Sequence, residues 1–184
     1  AFFPVPKKGT DKMRGCIDLT TINLFLKYEH FKMEGLHTVQ SQLRRRDHMW
    51  KVDMSDFYMH LLIAEEHRLF FRFRFEGISY ECTAMPFGLA PAPRIATKFL
   101  LPAIRYLRRR QVRCMAYIDD IWGCVRSRTK AIRDAQLAVN LLHRLRFGFN
   151  PDKLQVNPTQ SIEVPGTQVN SVKMQFLVYC SKCR

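Results

Sequence analysis

The chain has 184 residues, of which 47% are hydrophobic and 25% are charged, a composition typical of a folded globular domain and not of a disordered chain. Lysine and arginine outnumber aspartate and glutamate by 30 to 16, a formal net charge of +14, which favours a polyanionic partner. No apolar run approaches the ~18 residues of a membrane span, and prolines and lysines interrupt the N-terminus, which excludes a signal peptide there.

The first half of the chain shows hairpins and short helices. Residues 2–6 and 14–19 flank a polar stretch with a glycine, which predicts a β-hairpin with a basic tip. Residues 22–26 predict a short helix and residues 50–54 a short strand. The alternation of Phe71, Phe73 and Phe75 with charged residues ahead of Gly77 predicts a second hairpin. Its arms would be residues 71–75 and 78–82.

The second half alternates helices and strands. Pro93 suits the first turn of a helix, and this helix would run to about Arg110 with Ile95, Phe99 and Ala103 on one face. Strands are expected at residues 112–118 and 121–125, a helix at 129–146, and one or two strands within 161–178. Mixed helices and hairpins predict an α+β fold.

Charge is unevenly distributed. Residues 1–92 carry 13 basic and 11 acidic groups, whereas residues 93–184 carry 17 and 5. No acidic residue lies between Cys82 and Ile118, and then Asp119 and Asp120 follow together. An acidic turn is the simpler interpretation, because Asp is common in turns. With Asp53 as a third carboxylate after an apolar strand, however, the set could hold Mg²⁺ for two-metal phosphoryl transfer.

Five segments resemble, in order, the motifs of reverse transcriptases, and they cover residues 2 to about 171. The residues of these motifs are most similar to those of DIRS-like and long-terminal-repeat retrotransposon enzymes. The matching segments are the basic hairpin with Lys7, Lys8 and Arg14, then Asp18-Leu19 and Asn23; Val52-Asp53-Met54-Ser55-Asp56-Phe57-Tyr58; Met85-Pro86-Phe87-Gly88-Leu89-Ala90-Pro91-Ala92-Pro93-Arg94; Tyr117-Ile118-Asp119-Asp120; and Phe147-Gly148-Phe149-Asn150-Pro151-Asp152-Lys153.

The resemblance implies the fingers and palm of a right-hand polymerase, with an antiparallel palm sheet backed by helices. Fingers would comprise approximately residues 1–48 and 61–84, and palm approximately 49–60 and 85–184. The chain would be truncated before the thumb, RNase H and recombinase segments of a parent polyprotein. The implied activity is RNA-directed DNA polymerase, adding dNTPs to a DNA primer on an RNA or DNA template. An intracellular location, cytoplasmic or nuclear, is expected from the unpaired cysteines.

The resemblance also assigns roles to individual residues. Asp53, Asp119 and Asp120, with the Met54 carbonyl, would bind two Mg²⁺ ions, for which Mn²⁺ could substitute. Lys153 would protonate the leaving pyrophosphate, although on sequence alone it could be a surface lysine. The nucleotide site would comprise a triphosphate grip, a steric gate against the 2′-hydroxyl, and a loop at the sugar and base: Lys7, Lys8, Arg14, Tyr58, Phe87 and Gly88.

Several features support an alternative function, a catalytically silent nucleic-acid-binding relic of the same fold. Phe57 stands where the family usually has a small residue, Thr20 where a basic residue is common, and Pro165 within the turn that resembles the primer grip. An RNA-directed RNA polymerase is a third possibility, against which Tyr58 argues. The arginines from 105 to 113 could bind a nucleic-acid backbone or form a solvated helix end. We interpret Cys180 and Cys183 as free thiols.

Overall fold

The computed structural model describes residues 2–6, 13–27, 29–164 and 166–178. Its helices and strands alternate as follows. The helices are α1 (Thr20–Phe25), α2 (Leu36–Gln42), α3 (Glu65–Arg68), α4 (Ala92–Arg109) and α5 (Arg128–Arg144). The strands are β1 (Phe2–Pro6), β2 (Met13–Ile17), β3 (His48–Ser55), β4 (Arg72–Phe75), β5 (Ile78–Glu81), β6 (Cys114–Tyr117), β7 (Asp120–Val125), β8 (Gly148–Phe149), β9 (Gln155–Thr159), β10 (Ser161–Val164), β11 (Thr167–Asn170) and β12 (Gln175–Val178).

The chain forms two compact units. The first comprises residues 1–31 and 56–96, and the second residues 32–55 and 97–184. The first unit contains two antiparallel hairpins, β1–β2 and β4–β5. Phe2 of β1 stacks on Phe73 of β4 at 5.2 Å between ring centroids, and Phe73 stacks on Tyr80 of β5 at 5.5 Å. Aromatic side chains therefore join the hairpins of this unit.

The second unit contains a five-stranded sheet with the order β6-β7-β3, to which β8 and β9 both pair along β3. Every pairing is antiparallel. Helix α5 packs against β3, β7 and β9. On the other face, a buried cluster joins the sheet to α2 and to the separate sheet β10-β11-β12; its members include Val39, Met115, Trp122, Ile162 and Val169.

The structure confirms the α+β class and the antiparallel arrangement, but two details of the sequence prediction are wrong. Residues 161–178 form three strands, and not one or two. In α4, Ala103 of the predicted face is buried, but Phe99 is 48% exposed; the other members of the buried side are Ala96, Leu100, Ile104 and Leu107. The middle of this helix is apolar on nearly every side, so spacing alone selects its buried face poorly.

Among the described residues, none of the helices combines the length and hydropathy needed to cross a lipid bilayer.

Candidate active site

Two of the candidate carboxylates meet across the central sheet of the second unit. The register of β3 and β7 places Asp53 directly opposite Asp120. Asp53 is only 6% exposed. Like charges directly opposite on neighbouring strands are destabilising, so the pairing works against stability and calls for a compensating positive charge.

The third carboxylate, Asp119, lies in the turn between β6 and β7. Ile118 precedes it with φ of +55°, a left-handed conformation that is strained for a β-branched residue. The Asp119 carbonyl accepts a hydrogen bond from the Met54 N–H at 2.9 Å. The turn is therefore attached to the end of β3, beside Asp53.

Two lysines supply positive charge to this carboxylate cluster of Asp53, Asp119 and Asp120. The Lys51 ammonium lies 3.1 Å from Asp120 Oδ1, and the Lys153 ammonium 3.4 Å from Asp53 Oδ2. Lys51 shares a strand face with Asp53, two residues away. Lys153 belongs to the short 3-10 helix Pro151–Lys153, just after the Asn150 N–H, which donates to the Asp53 carbonyl at 3.2 Å.

The carboxylates disfavour one another's charged form. Burial raises the pKa of Asp119 above its ordinary 3.8, and the Asp53 carboxylate adds to the rise, against the opposing effect of Lys153 and Lys51. Burial raises the pKa of Asp120 to about 6, with Asp119 and Asp53 adding and Lys51 opposing. When ionised, the three carboxylates therefore carry more negative charge than the two lysine ammonium groups neutralise.

A cluster of carboxylates of this kind is suited to binding a divalent cation. Carboxylate oxygens are the donors that Mg²⁺ prefers. Within the described part of the chain, Asp120 Oδ1 is buried without a hydrogen-bond partner, and the Lys51 ammonium lies 3.1 Å from it as an ion-pair partner. Among the described residues, however, no three Asp, Glu, His or Cys side chains converge closely enough to hold a metal as they stand. The donor chemistry fits Mg²⁺, and binding would require these side chains to turn away from their lysines.

The first unit brings together three of the candidate nucleotide-binding residues. The Tyr58 ring meets the Phe87 ring edge to face at 5.3 Å, and the Arg14 guanidinium carbon lies 4.6 Å from the centre of the Phe87 ring. This aromatic–arginine cluster is a cation–π arrangement. It keeps a positive charge over the Phe87 ring.

The loop after Phe87 is fixed by one asparagine. Gly88 has φ of +90°, a conformation that glycine adopts without strain. Its carbonyl accepts a hydrogen bond from Asn23 Nδ2 at 2.9 Å, while Asn23 Oδ1 accepts from the Ala90 N–H at 2.8 Å. Asn23 therefore holds this loop through both the nitrogen and the oxygen of its side-chain amide.

Comparison with known proteins then decides the family. The sequence profile of the family described as reverse transcriptase (RNA-dependent DNA polymerase) matches residues 5–169. The chain belongs to this family.

Relatives of this reverse transcriptase domain occur in viral and transposon polyproteins. It is 26% identical over 160 residues to the Gag-Pol polyprotein of walleye dermal sarcoma virus, covering 86% of the chain and 9% of the relative. It is 24% identical over 184 residues to the Pol polyprotein from transposon 297 of Drosophila melanogaster, covering 95% of the chain and 17% of the relative. The chain thus spans a small part of each relative and is identified as the reverse transcriptase domain of a retroelement or retroviral Pol protein.

Solved structures support the fold. The foamy viral protease-reverse transcriptase in complex with dsDNA superposes with a TM-score of 0.83 at 16% identity, covering 97% of this chain and 36% of that one. The same viral protein in complex with an RNA/DNA hybrid gives a TM-score of 0.74 at 16% identity, covering 92% and 22%. The reverse transcriptase fold of fingers and palm is therefore confirmed.

Other candidate residues divide into three groups. Phe57 is buried, so its ring belongs to the core of the first unit, and Thr20 begins α1 with its N–H bound to Asp18 Oδ1 at 3.0 Å. Five residues discussed from the sequence lie outside the described residues: Lys7, Lys8, Pro165, Cys180 and Cys183.

Two members of the arginine run make internal ion pairs. Arg108 pairs with Glu34 at 2.5 Å, and Arg113 pairs with Asp47 at 2.6 Å.

Sequence reasoning missed two charged residues in this reverse transcriptase. Lys51 reaches Asp120, and Glu34 reaches both Arg108 and the Ala116 N–H. For Lys51, the alternation of side chains along a strand offered a signal, because residues 51 and 53 share a face. For Glu34, no signal existed, since its partners are at least 74 residues away in sequence.

Proposed function

We propose that the chain catalyses RNA-directed DNA synthesis, adding dNTPs to a primer 3′-hydroxyl on an RNA or DNA template. The observation that carries this proposal is the carboxylate cluster at the end of β3 and the β6–β7 turn, in a chain of the reverse transcriptase family. Polymerases of this kind depend on positioning and charge stabilisation rather than on covalent chemistry. The cluster offers both at one end of a rigid sheet.

We propose that Asp53, Asp119 and Asp120, with the Met54 carbonyl, hold two Mg²⁺ ions, for which Mn²⁺ can substitute. Bound there, the ions would activate the attacking hydroxyl and stabilise the leaving oxygen of the phosphoryl transfer. The raised pKa values of Asp119 and Asp120 support this role, because a divalent cation would stabilise carboxylates whose charged form is disfavoured by burial and, to a smaller extent, by the neighbouring carboxylates. Lys51 places a compensating positive charge beside Asp120.

Lys153 is the proposed proton donor to the leaving pyrophosphate. Its ammonium lies 3.4 Å from Asp53, and its side chain is 55% exposed. An exposed lysine that already reaches the cluster can release the carboxylate to a cation and turn to a phosphate. General-acid assistance of this kind contributes typically 10²- to 10⁴-fold.

The aromatic–arginine cluster of the first unit is the proposed site for the incoming dNTP. Arg14, with one of Lys7 or Lys8, would bind the triphosphate, since arginine contacts phosphate oxygens in a bidentate manner. Tyr58, held by Phe87, would exclude a nucleotide that carries a 2′-hydroxyl. Gly88 would let the backbone approach the sugar and base, because it has no side chain.

The proposed macromolecular substrate is a template–primer duplex of RNA and DNA. The net charge of +14 supports it, as do the dsDNA and RNA/DNA hybrid bound by the foamy viral protein. We further propose a DIRS-like or long-terminal-repeat element as the source and the cytoplasm or nucleus as the site of action; free cysteines at positions 16, 82, 114 and 124 support such a compartment. The limits of fingers and palm stay a prediction.

Primer extension tests the polymerase. The purified chain is given an oligo(dT) primer on poly(rA) with dTTP and Mg²⁺ or Mn²⁺. We expect extension that falls by about 10²- to 10³-fold in Asp119→Asn, because positioned electrostatic groups contribute on that scale. Glu163→Gln, an exposed carboxylate on β10, is the matched control and should extend normally.

The other outcomes separate the alternatives. Salt-sensitive binding of template–primer without extension would favour the silent relic. Equal extension by Asp119→Asn and Glu163→Gln would contradict the assignment of the metal site. Incorporation of UTP as readily as dTTP would contradict the proposed role of Tyr58 and favour an RNA-directed RNA polymerase.

A further inference from the structure

The free edge of β6 is closed by two side chains. β6 is the edge strand of the central sheet, and an edge strand normally presents unpaired N–H and C=O groups. Here the Ala116 N–H donates to Glu34 Oε2 at 2.9 Å. The Cys114 carbonyl accepts from Arg108 Nε at 3.1 Å and from its terminal nitrogen at 2.9 Å. Side chains therefore take the place that a neighbouring strand would fill.

Glu34 and Arg108 also bind each other. The Arg108 terminal nitrogen lies 2.5 Å from Glu34 Oε1, so one carboxylate oxygen contacts the arginine and the other contacts the strand. The planar guanidinium likewise contacts Glu34 and the Cys114 carbonyl together, a fork geometry that lysine cannot reproduce. The result is a closed ring of hydrogen bonds between α4, the segment before α2, and β6.

Glu34 lines two cavities, of about 200 and 220 Å³. The first is also lined by residues that include Leu100, Ile104 and Ile118, and the second by residues that include Val39 and Tyr117. The Glu34 side chain is 30% exposed, and its hydrogen bonds with Arg108 and the Ala116 N–H restrain its position.

We propose that Glu34 and Arg108 are positioning residues that fix the β6–β7 turn and thereby the Asp119 carboxylate, an inference that rests on the polymerase function proposed above. Ala116 is three residues from Asp119, and the strained Ile118 lies between them. A strained backbone persists only where its surroundings over-determine it. Releasing the edge of β6 lets the turn relax, and Asp119 moves with it.

Hydrogen–deuterium exchange tests the anchoring without any enzyme activity. We expect Glu34→Ala to accelerate amide exchange in residues 114–120 at least tenfold. Glu34→Gln should give an intermediate acceleration, because its single amide oxygen can still accept from the Ala116 N–H, whereas its NH₂ group cannot accept from Arg108. Arg109→Ala, an exposed arginine on the same helix, is the matched control. Arg108→Lys provides a milder variant should Glu34→Ala fail to fold, with an expected intermediate acceleration.

Exchange in Glu34→Ala that matches Arg109→Ala would overturn the proposal. An acceleration spread evenly over the second unit would also overturn it, because that outcome describes general destabilisation and not a held turn.

Single-turnover incorporation tests the consequence for catalysis. Glu34→Ala should lower the maximal incorporation rate about tenfold while the dissociation constant of template–primer stays unchanged, and Glu34→Gln should restore part of the rate. Faster exchange with an unchanged incorporation rate would overturn the positioning role. If the unmutated chain extends no primer, the proposed function fails, and the exchange experiment by itself still decides whether Glu34 and Arg108 hold the turn.

Discussion

At the scale of single residues, the burial of the carboxylate cluster works against the stability of the folded chain. The folded state raises the pKa of Asp119 above its ordinary value. A carboxyl group whose pKa rises on folding destabilises the folded state when it is ionised. That cost is complete above the folded pKa and disappears once the pH falls below the unfolded pKa of about 3.8.

We therefore predict that Asp119→Asn raises the melting temperature in metal-free buffer. The change removes the buried negative charge, so the gain should be a few degrees at pH 8, where roughly 1 kcal/mol corresponds to about 2–4 °C in a domain of this size. The gain should shrink toward zero as the pH approaches 4. Thermal unfolding followed by circular dichroism between pH 4 and 8 measures both values.

Two comparisons serve as controls for this prediction. Glu163→Gln, which neutralises an exposed carboxylate, should leave the melting temperature unchanged at each pH. Added Mg²⁺ should stabilise the unmutated chain more than Asp119→Asn, because a ligand stabilises only the state that binds it. A lower melting temperature for Asp119→Asn at pH 8 would show that its charge is well satisfied.

The three aspartates could be identified from the sequence, but their contacts with one another and with the lysines could not. A short motif with a recognisable order reveals Asp53, Asp119 and Asp120, because it is local. The opposition of Asp53 and Asp120 depends on strand register, and the contact of Lys153 with Asp53 joins residues 100 apart. Arg108 and Arg113 looked like members of a solvated run, since their acidic partners lie far away in sequence.

At the scale of elements, the central sheet depends on one close approach. Trp50 of β3 lies opposite Gly123 of β7, and its indole fills the space that a side chain would need. A Cβ placed on Gly123 would stand 2.2 Å from two atoms of the indole ring. Alanine at this position therefore has to displace a fully buried tryptophan.

We predict that Gly123→Ala destabilises the chain by roughly 1–3 kcal/mol or more, the usual cost of overpacking a core. In urea the midpoint should fall while the slope stays constant, because the surface exposed on unfolding is unchanged. Gly148→Ala on β8 is the matched control, since its Cβ would have only an ordinary contact at 3.8 Å. Adding Trp50→Phe to Gly123→Ala should restore part of the stability; no restoration would locate the strain elsewhere.

The positions of the helices and strands were largely predictable from the sequence, whereas the buried side of α4 was not. Alternation and turn residues indicated the two hairpins of the first unit and the strands that carry the aspartates, because these signals are local. The predicted face of α4 contains Ala103, which is buried, but also Phe99, which is exposed, since Phe99 and Leu100 both satisfy a helical period. Only the partners of the helix decide between them.

At the scale of the whole molecule, charge governs the expected interaction with nucleic acid. The excess of basic residues is concentrated after residue 92, and ion pairs inside the second unit engage Arg108 and Arg113. The exposed arginines Arg105, Arg109 and Arg110 stay available for phosphates.

We predict that the affinity for template–primer falls linearly with salt on a double-logarithmic plot. Each phosphate contact to duplex DNA contributes a slope of about −0.9, so the slope counts the contacts. Fluorescence anisotropy between 50 and 300 mM salt gives the value. A peptide nucleic acid duplex of the same sequence, whose backbone is uncharged, is the control and should bind weakly without salt dependence. A flat plot for the natural duplex would contradict an electrostatic mode of binding.

The close approach of Trp50 to Gly123 also places a spectroscopic probe on each side of the sheet. The chain has two tryptophans, and the register puts Trp50 on the face opposite to Trp122, which belongs to the cluster shared with α2. Both are almost fully buried, and neither indole N–H has a hydrogen-bond partner among the residues that the structure describes. Fluorescence of Trp50→Phe and Trp122→Phe would therefore follow the two layers separately, and coincident transitions would identify the sheet and both of its coverings as one cooperative unit.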